Sequence, residues 1–158
     1  MLYREHLTPF GWTVSMIEIK IIEHNTDDYT QMVNLRNEVL RKPLGLHFTE
    51  EYLENEKGTK LIGLFKNQLL IGCCLLRSIS TDVIQLQQMA VDPDLQKHGI
   101  GTKLIEFAEN EARKAGFCKI FLHARKTAIG FYERLGYSVM GEEFEEVSIP
   151  HFMMKKEL

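Results

Sequence analysis

Hydrophobic residues alternate with polar ones, or run together, over strand-length segments of the chain. Residues 17–22 alternate isoleucine with polar residues, which predicts a half-buried first strand. Residues 59–65 and 69–79 are two further strand patterns, and the connection between them, Lys66-Asn67-Gln68, is short enough for a hairpin. Residues 83–91 follow after another tight connection. We therefore expect the last three of these strands to be successive antiparallel neighbours.

Segments with helical periodicity lie between these strands and after them. A first helix is predicted to begin at a cap formed by Asp27 or Asp28 and to run to about Arg41. A short acidic helix is expected over residues 49–56, and a longer amphipathic helix is expected to end at Gly116.

The segment that follows the longer helix predicts the order of the sheet. Residues 117–124 read as a fifth strand, and a strand, helix, strand connection makes the fourth and fifth strands parallel neighbours. The tail predicts a strand near residues 138–141, a glutamate-rich loop and a strand near residues 151–155. The fold class is therefore α/β (α+β), with a mixed, mostly antiparallel sheet of about six or seven strands and about four helices.

Composition narrows the classes of protein that the chain can belong to. A formal charge of −3 argues against a general nucleic-acid binder, which normally shows a basic excess. The longest apolar run, residues 69–76, is far shorter than the roughly 20 residues that cross a bilayer, so no membrane partner is expected. The three cysteines, Cys73, Cys74 and Cys118, cannot all pair and are expected to be small core residues in a reducing compartment, the cytoplasm.

The junction after the fourth strand carries the first chemical signal. The strand ends at Asp92-Pro93-Asp94, and Gly99 and Gly101 then precede the helical pattern. Glycines let the backbone approach a ligand closely, and the first turn of a helix offers unpaired N–H groups and a partial positive charge. This combination suits a phosphate group. The three glycines of a dinucleotide fingerprint and the Gly-Lys-Ser/Thr of a P-loop are both missing.

Two motifs in this order resemble the GNAT superfamily of N-acetyltransferases. Gln96, Gly99 and Gly101 match the coenzyme A loop, whose pattern is Gln/Arg-x-x-Gly-x-Gly/Ala. After one helix and one strand, Ala128 precedes a Phe-Tyr pair and Leu-Gly-Tyr, residues 131–137, which match a second signature of the family. The resemblance covers residues 17–156 and points to an uncharacterised branch. It implies a single GNAT acetyltransferase domain, which we place over residues 16–158. A second methionine, Met16, directly precedes the first strand pattern, so residues 1–15 are expected to be either an N-terminal extension that adds little to the fold or an ordered arm that packs through Phe10 and Trp12.

The resemblance implies a reaction and a coenzyme. Members of the family move an acetyl group from acetyl-CoA to a primary amine by direct attack, without a covalent enzyme intermediate and without a metal. Backbone N–H groups near the end of the fourth strand are expected to hold the thioester oxygen and the pantetheine arm. The residues thus expected to bind acetyl-CoA are Met89, Ala90, Val91, Gln96, Lys97, His98, Gly99, Ile100, Gly101 and Thr102. Arg125, where many relatives carry asparagine, is a further candidate for a phosphate contact.

The same resemblance assigns one catalytic residue and leaves another open. Tyr132 matches the general acid that protonates the leaving thiolate. Many relatives carry a glutamate base on the fourth strand, but this strand offers Gln85, Gln87 and Gln88, which cannot accept a proton at neutral pH. His151 is the preferred alternative, and the other candidates are water-mediated proton removal, His123, Glu145 and Glu146.

The acceptor and the partners stay open at this level. The acidic residues 142–146 would attract a cationic amine, whereas Arg36, Arg41 and Lys42 would favour an acceptor that carries a carboxylate. The expected partners are acetyl-CoA and a small-molecule or peptide amine, with a homodimer left open. An alternative to catalysis is an acyl-CoA binding or sensing domain that keeps the fold but has lost the acceptor chemistry.

Overall fold

The computed structural model describes residues 2–4, as backbone, and residues 15–158. The strands in this part of the chain are β1 (Leu2–Arg4), β2 (Met16–Ile22), β3 (Lys60–Lys66), β4 (Leu69–Ser78), β5 (Val83–Val91), β6 (Lys119–Arg125), β7 (Ser138–Glu146) and β8 (Ile149–Glu157). The α-helices in it are α1 (Asp27–Arg36), α2 (Glu50–Glu54), α3 (Ile100–Lys114) and α4 (Ile129–Arg134). None of these described helices is long and apolar enough to cross a membrane.

The strand order confirms the predicted mixed sheet. The order is β1-β2-β3-β4-β5-β6-β8-β7. The predicted fourth and fifth strands are β5 and β6, and they are parallel, with Val83 opposite Lys119 and Leu86 opposite Leu122. The pairs β2–β3, β6–β8 and β7–β8 are antiparallel. β1 adds a short strand to the seven that the hydrophobic pattern predicts, and the rest of the expected extension, residue 1 and residues 5–14, lies outside the described residues.

The chain forms two compact units, and β4, β5 and α3 each contribute residues to both units. The first unit comprises Met1–Leu75 and Gln88–Phe107, and the second comprises Leu76–Gln87 and Ala108–Leu158. The first unit therefore contains the end of β5 and the loop that follows it, residues 92–101, which we call the glycine loop. The second unit contains β6, α4 and the β7–β8 hairpin.

The core of the first unit forms between the sheet and α1. Its buried side chains include Met32 from α1, Leu61 and Phe65 from β3, and Cys73 and Leu75 from β4. The prediction of the cap was wrong: the helix is capped by Thr26, whose hydroxyl accepts a hydrogen bond from the Tyr29 N–H at 3.2 Å. Asp27 and Asp28 are instead the first helical residues, where negative charge complements the helix dipole. A π-helical turn, Asn37–Arg41, continues the helix to the predicted end.

The second unit shows where the prediction for the tail was wrong. The expected glutamate-rich loop is part of β7, which continues to Glu146. The turn consists of Val147 and Ser148, whose φ angles of 47° and 61° are those of a two-residue hairpin turn. Residues with a side chain seldom adopt this conformation, so a sequence without Asn-Gly or Asp-Gly gives no signal for it. The longer β7 brings Glu146 opposite Ile149 in the β7–β8 pair.

A buried ion pair joins α1 to the segment after α2. The Arg36 side chain is fully buried, and Glu56 is only 2% exposed. Arg36 Nη1 donates to Glu56 Oε2 at 2.9 Å, and Nη2 donates to Oε1, so the pair is bidentate. Each charge is isolated from water, and each depends on the other for compensation.

We expect Arg36→Met to lower the free energy of unfolding by about 3–5 kcal/mol, because the Glu56 carboxylate then stays buried without its partner. Urea denaturation measures this loss. The matched control is Lys57→Met, which removes an exposed cation paired with Glu54 and should change stability by less than about 1 kcal/mol. Adding Glu56→Leu to Arg36→Met should recover most of the loss. A loss below about 1 kcal/mol in the single variant would show that the pair does not carry this role.

Candidate active site

The last residues of β5 are shaped by an unusual backbone conformation. Gln88 lies within the strand with a φ of 53°, which is uncommon for a residue with a side chain. Its side-chain amide donates to the hydroxyl of Tyr52 at 2.8 Å. The next three residues are those expected to meet the thioester, and of these Ala90 is buried while Met89 and Val91 are partly exposed. Gln88 thus departs from regular strand geometry directly before the expected thioester site.

The glycine loop is built from a capped turn. The Asp92 carboxylate accepts from the Asp94 N–H at 3.0 Å and starts the short 3₁₀ turn Pro93–Leu95. The Asp92 N–H itself donates to the Ile71 carbonyl of β4 at 2.9 Å, which ties the loop to the sheet. Gln96 Nε2 then reaches back to the Val91 carbonyl at 3.4 Å. These bonds fix the chain direction before it enters the helix.

Backbone N–H groups are available at the start of α3. Lys97 and Gly99 have left-handed φ angles of 70° and 77°, and α3 begins at Ile100. The Lys103 N–H donates to the Gly99 carbonyl at 3.1 Å, so the N–H groups before it have no partner within the helix. Apart from Gly99 and its two chain neighbours, no described residue has an atom within 4 Å of the point where a Cβ on Gly99 would be, so this side of the loop is open. The loop therefore fits a phosphate group.

The side chains of the loop differ in what they can contribute. Those of Gln96, Lys97 and His98 are exposed, whereas Gly101 and Thr102 are partly buried in the first turn of α3. Ile100 is 7% exposed and packs toward β4, where a Cβ added to Gly72 would lie 2.8 Å from Ile100 Cγ2. Ile100 can therefore offer a ligand its backbone but not its side chain.

Tyr132 lies on α4 in the second unit and is 7% exposed. Its ring makes edge contacts with Phe131, at 5.0 Å between centroids, and with Tyr137, at 5.8 Å. The helix ends in a glycine cap, because Gly136 has a φ of 90° and the Tyr137 N–H donates to the Tyr132 carbonyl at 3.1 Å. The Tyr137 hydroxyl donates to Glu109 at 3.1 Å. The Leu-Gly-Tyr part of the motif therefore fixes the position of the Tyr132 ring.

His151 lies in β8, opposite Arg125 of β6, so two of the predicted site residues are neighbours. The His151 side chain is 6% exposed, and its Nδ1 lies 2.7 Å from the Ile149 carbonyl. Since a carbonyl can only accept, Nδ1 carries a proton. The other nitrogen, Nε2, lies 3.6 Å from Glu146 Oε2.

Glu146 lies between two imidazoles. Its Oε1 is 3.1 Å from His123 Nδ1, while its Oε2 faces His151. The Phe144 ring packs against both histidines, with centroid distances of 5.0 Å to His123 and 6.0 Å to His151. The sequence indicates His123, Glu146 and His151 as separate candidates, but it does not predict that they contact one another. The contact depends on the length of β7, which the hydrophobic pattern underestimates.

The glutamine amides of β5 and the buried thiols of β4 are not suited to acid–base chemistry. Gln87 Nε2 donates to Gln85 Oε1 at 2.7 Å, so these amides satisfy each other. Burial raises the pKa of the Cys73 thiol to about 12 and the pKa of Cys74 well above its usual value, which keeps both thiols neutral. Cys73 and Cys74 are core residues as expected, but Cys118 is exposed, so the core prediction was wrong there. Within residues 15–158, no group of three or more histidine, cysteine, aspartate or glutamate side chains could hold a metal ion.

The sequence profile of the acetyltransferase (GNAT) domain matches residues 26–158. The chain therefore belongs to the GNAT acetyltransferases. A relative from Bacillus subtilis (strain 168), the uncharacterized protein YyaT, is 32% identical over 74 residues, which is 47% of this chain and 50% of that protein. The chain thus spans about half the length of this curated relative.

Two solved structures share the fold. Escherichia coli ElaA aligns over 90% of this chain and 100% of its own, with a TM-score of 0.78 and 19% identity. An aminoglycoside 6'-N-acetyltransferase complexed with coenzyme A aligns over 89% of this chain and 96% of its own, with a TM-score of 0.76 and 18% identity. At these identities the likeness establishes the fold and leaves the substrate open.

Proposed function

We propose that this chain is an N-acetyltransferase that moves an acetyl group from acetyl-CoA to a primary amine by direct attack in a ternary complex. The observation that carries the proposal is the open glycine loop, where unpaired N–H groups at the start of α3 lie beside the left-handed Gly99. Membership in the GNAT acetyltransferases and the coenzyme A held by a structural neighbour support it. In this proposal residues 16–158 are the catalytic domain, and the free thiols suit the reducing cytoplasm.

Coenzyme recognition falls mainly to the backbone. The N–H groups of the glycine loop and of the first turn of α3 hold the pyrophosphate, while exposed Lys97 and His98 add charge. Thr102 adds a hydroxyl group, and Arg125 is the further phosphate ligand. The backbone of Met89, Ala90 and Val91 holds the pantetheine arm and donates to the thioester oxygen. Such a preorganised donor is typically worth about 2.7–4 kcal/mol when charge develops on that oxygen.

Two proton transfers accompany the acetyl transfer. The amine nitrogen bonds to the carbonyl carbon, the carbon–sulfur bond breaks, and coenzyme A leaves as a thiolate. Tyr132 donates a proton to that sulfur as general acid. Its buried ring, held by contacts with Phe131 and Tyr137, gives the phenol the fixed orientation that a general acid needs.

His151 accepts the proton that the amine loses. Its Nδ1 proton is engaged by the Ile149 carbonyl, so Nε2 is the nitrogen free to bind a proton. The imidazolium that forms lies beside the Glu146 carboxylate, which stabilises it. With His151 as the base, the reaction does not need a glutamate on β5, where this chain has Gln85, Gln87 and Gln88.

A panel of amines distinguishes this function from acyl-CoA binding or sensing. We expect acetyl-CoA to release free coenzyme A slowly with the protein alone and faster with a suitable primary amine. The released thiol, measured with a thiol reagent, should equal the acetylated amine measured by mass spectrometry. Binding of acetyl-CoA without any amine-dependent release across small-molecule and peptide amines would instead support a binding or sensing domain.

Opposite limbs of the pH–rate profile should report the two proposed catalytic residues. Tyr132→Phe should lower kcat by about 100-fold and alter the alkaline limb, because the proton donor is lost. His151→Gln should lower the rate by about 10- to 100-fold and alter the acidic limb, because the proton acceptor is lost. Coenzyme A affinity, measured by calorimetry, should be retained in both variants.

Neighbouring residues provide matched controls for these two variants. Tyr137→Phe removes a buried phenol that contacts Glu109, and His123→Gln removes the other imidazole beside Glu146. Both controls should keep kcat within about threefold of the wild type while changing stability modestly. A Tyr132→Phe or His151→Gln protein with the wild-type rate and pH profile would remove that residue from the mechanism.

The glycine loop is tested by comparing two left-handed glycines. Gly99→Val and Gly58→Val each place a branched side chain at a positive φ with open space around it. Each should lower stability by about 1–2 kcal/mol. Only Gly99→Val should also weaken coenzyme A binding, by about tenfold or more, because the altered loop misplaces its N–H groups and covers the phosphate site. Equal coenzyme A affinity in both variants would refute the phosphate site.

A further inference from the structure

An arginine without an anionic partner lies at the end of the π-helical turn after α1. The Arg41 guanidinium carbon lies 4.6 Å from the centroid of the Phe48 ring and 5.5 Å from that of the Tyr52 ring. Within residues 15–158, the Arg41 side chain makes no hydrogen bond or ion pair, and its buried Nε has no hydrogen-bond partner. The group is thus held by two aromatic rings while its charge is uncompensated.

The other cations of this region are already neutralised. Arg36 also lies over Phe48, at 4.4 Å, but it is paired with Glu56. Lys42, the residue after Arg41, pairs with Glu38 at 3.1 Å. Of Arg36, Arg41 and Lys42, only Arg41 therefore lacks a carboxylate partner among the described residues. Its guanidinium is planar, and its remaining N–H donors match the two oxygens of a carboxylate.

Contacts link this guanidinium to the strand that is proposed to hold the thioester. The hydroxyl of Tyr52 accepts a hydrogen bond from Gln88 Nε2 at 2.8 Å, and Gln88 directly precedes Met89. Tyr52 is 39% exposed, so the aromatic surface formed by Phe48 and Tyr52 is accessible at its outer end. Tyr52 therefore contacts both the Arg41 guanidinium, through its ring, and the Gln88 side chain of β5, through its hydroxyl.

We propose that Arg41 binds a carboxylate of the acceptor, and that the acceptors of this enzyme are primary amines that carry a carboxylate group. The inference rests on the proposed acetyl transfer and specifies its substrate class. Arg41 holds the carboxylate in a bidentate contact, and the Phe48–Tyr52 surface contacts the carbon chain between the carboxylate and the amine. The competing site for a cationic acceptor, the acidic run of β7, is partly neutralised, since Glu143 pairs with Lys126 and Glu146 contacts the two histidines.

The test compares acceptors that differ only in this charge. Amino acids and short ω-amino acids are assayed with acetyl-CoA beside their carboxamides, for the wild type and for Arg41→Gln. The wild type should prefer the carboxylate member of its best pair by about 10- to 100-fold in kcat/KM. Arg41→Gln should lose this preference through a higher KM for the carboxylate, with little change for the carboxamide. Arg41→Lys should keep part of it, because the charge remains but the planar fork is lost.

Lys57→Gln is the matched control, since it removes one exposed cation from the same unit. It should leave the carboxylate preference unchanged, and melting temperatures verify that all variants fold. A wild type that acetylates both members of each pair equally, or prefers the carboxamides, would overturn the inference and leave the proposed transfer intact. A preference that survives in Arg41→Gln would also overturn it.

A binding measurement separates this inference from the proposed function. Calorimetry in the presence of saturating coenzyme A measures the affinity for each carboxylate and carboxamide without requiring turnover. If no amine is acetylated, the proposed transfer fails, whereas carboxylate binding that is about tenfold weaker in Arg41→Gln still supports the assignment of Arg41. If the wild type binds no carboxylate more tightly than Arg41→Gln does, the assignment fails.

Discussion

The buried pair of Arg36 and Glu56 is the interaction on which the architecture of the first unit depends. Two charges removed from water are tolerated only while they face each other, so the pair fixes the end of α1 relative to the segment after α2. Phe48 packs over the Arg36 guanidinium, and Arg41 and Tyr52 pack on Phe48. A single bidentate contact in the core therefore positions an aromatic surface and a second guanidinium that has no carboxylate of its own.

The parts of the candidate site that depend on the backbone could be predicted from the sequence more readily than the contacts between side chains. Backbone N–H groups do not depend on residue identity, but the loop that presents them needs glycine at a left-handed position. This requirement appears in the sequence as the spacing of Gly99 and Gly101. The parallel pairing of β5 and β6 was predictable for a similar reason, because the connection through α3 allows it directly. These features depend on local chain geometry, which the sequence records.

Features that depend on distant contacts were predicted less well. The hydrogen bond between Tyr52 and Gln88 joins residues 36 positions apart, and nothing in either segment indicates it. The contact of His123 with Glu146 required β7 to extend through a glutamate-rich segment whose composition favours a loop. Pairing with β8 overrides that local preference.

The glutamines of β5 and the unpaired Arg41 fit one electrostatic arrangement. A glutamate in place of Gln88 would bring a negative charge to the Tyr52 hydroxyl, one ring away from the guanidinium. That charge would attract Arg41 and repel an acceptor carboxylate, because opposite charges attract and like charges repel. A neutral amide keeps the hydrogen bond to Tyr52 without either effect. The proposed mechanism assigns the role of proton acceptor to the imidazole of His151, which lies beside Glu146. The two proposals are therefore consistent with each other, because an acceptor that carries a carboxylate fits better beside neutral glutamines on β5 than beside a glutamate, and a histidine base on β8 then makes a carboxylate base on β5 unnecessary.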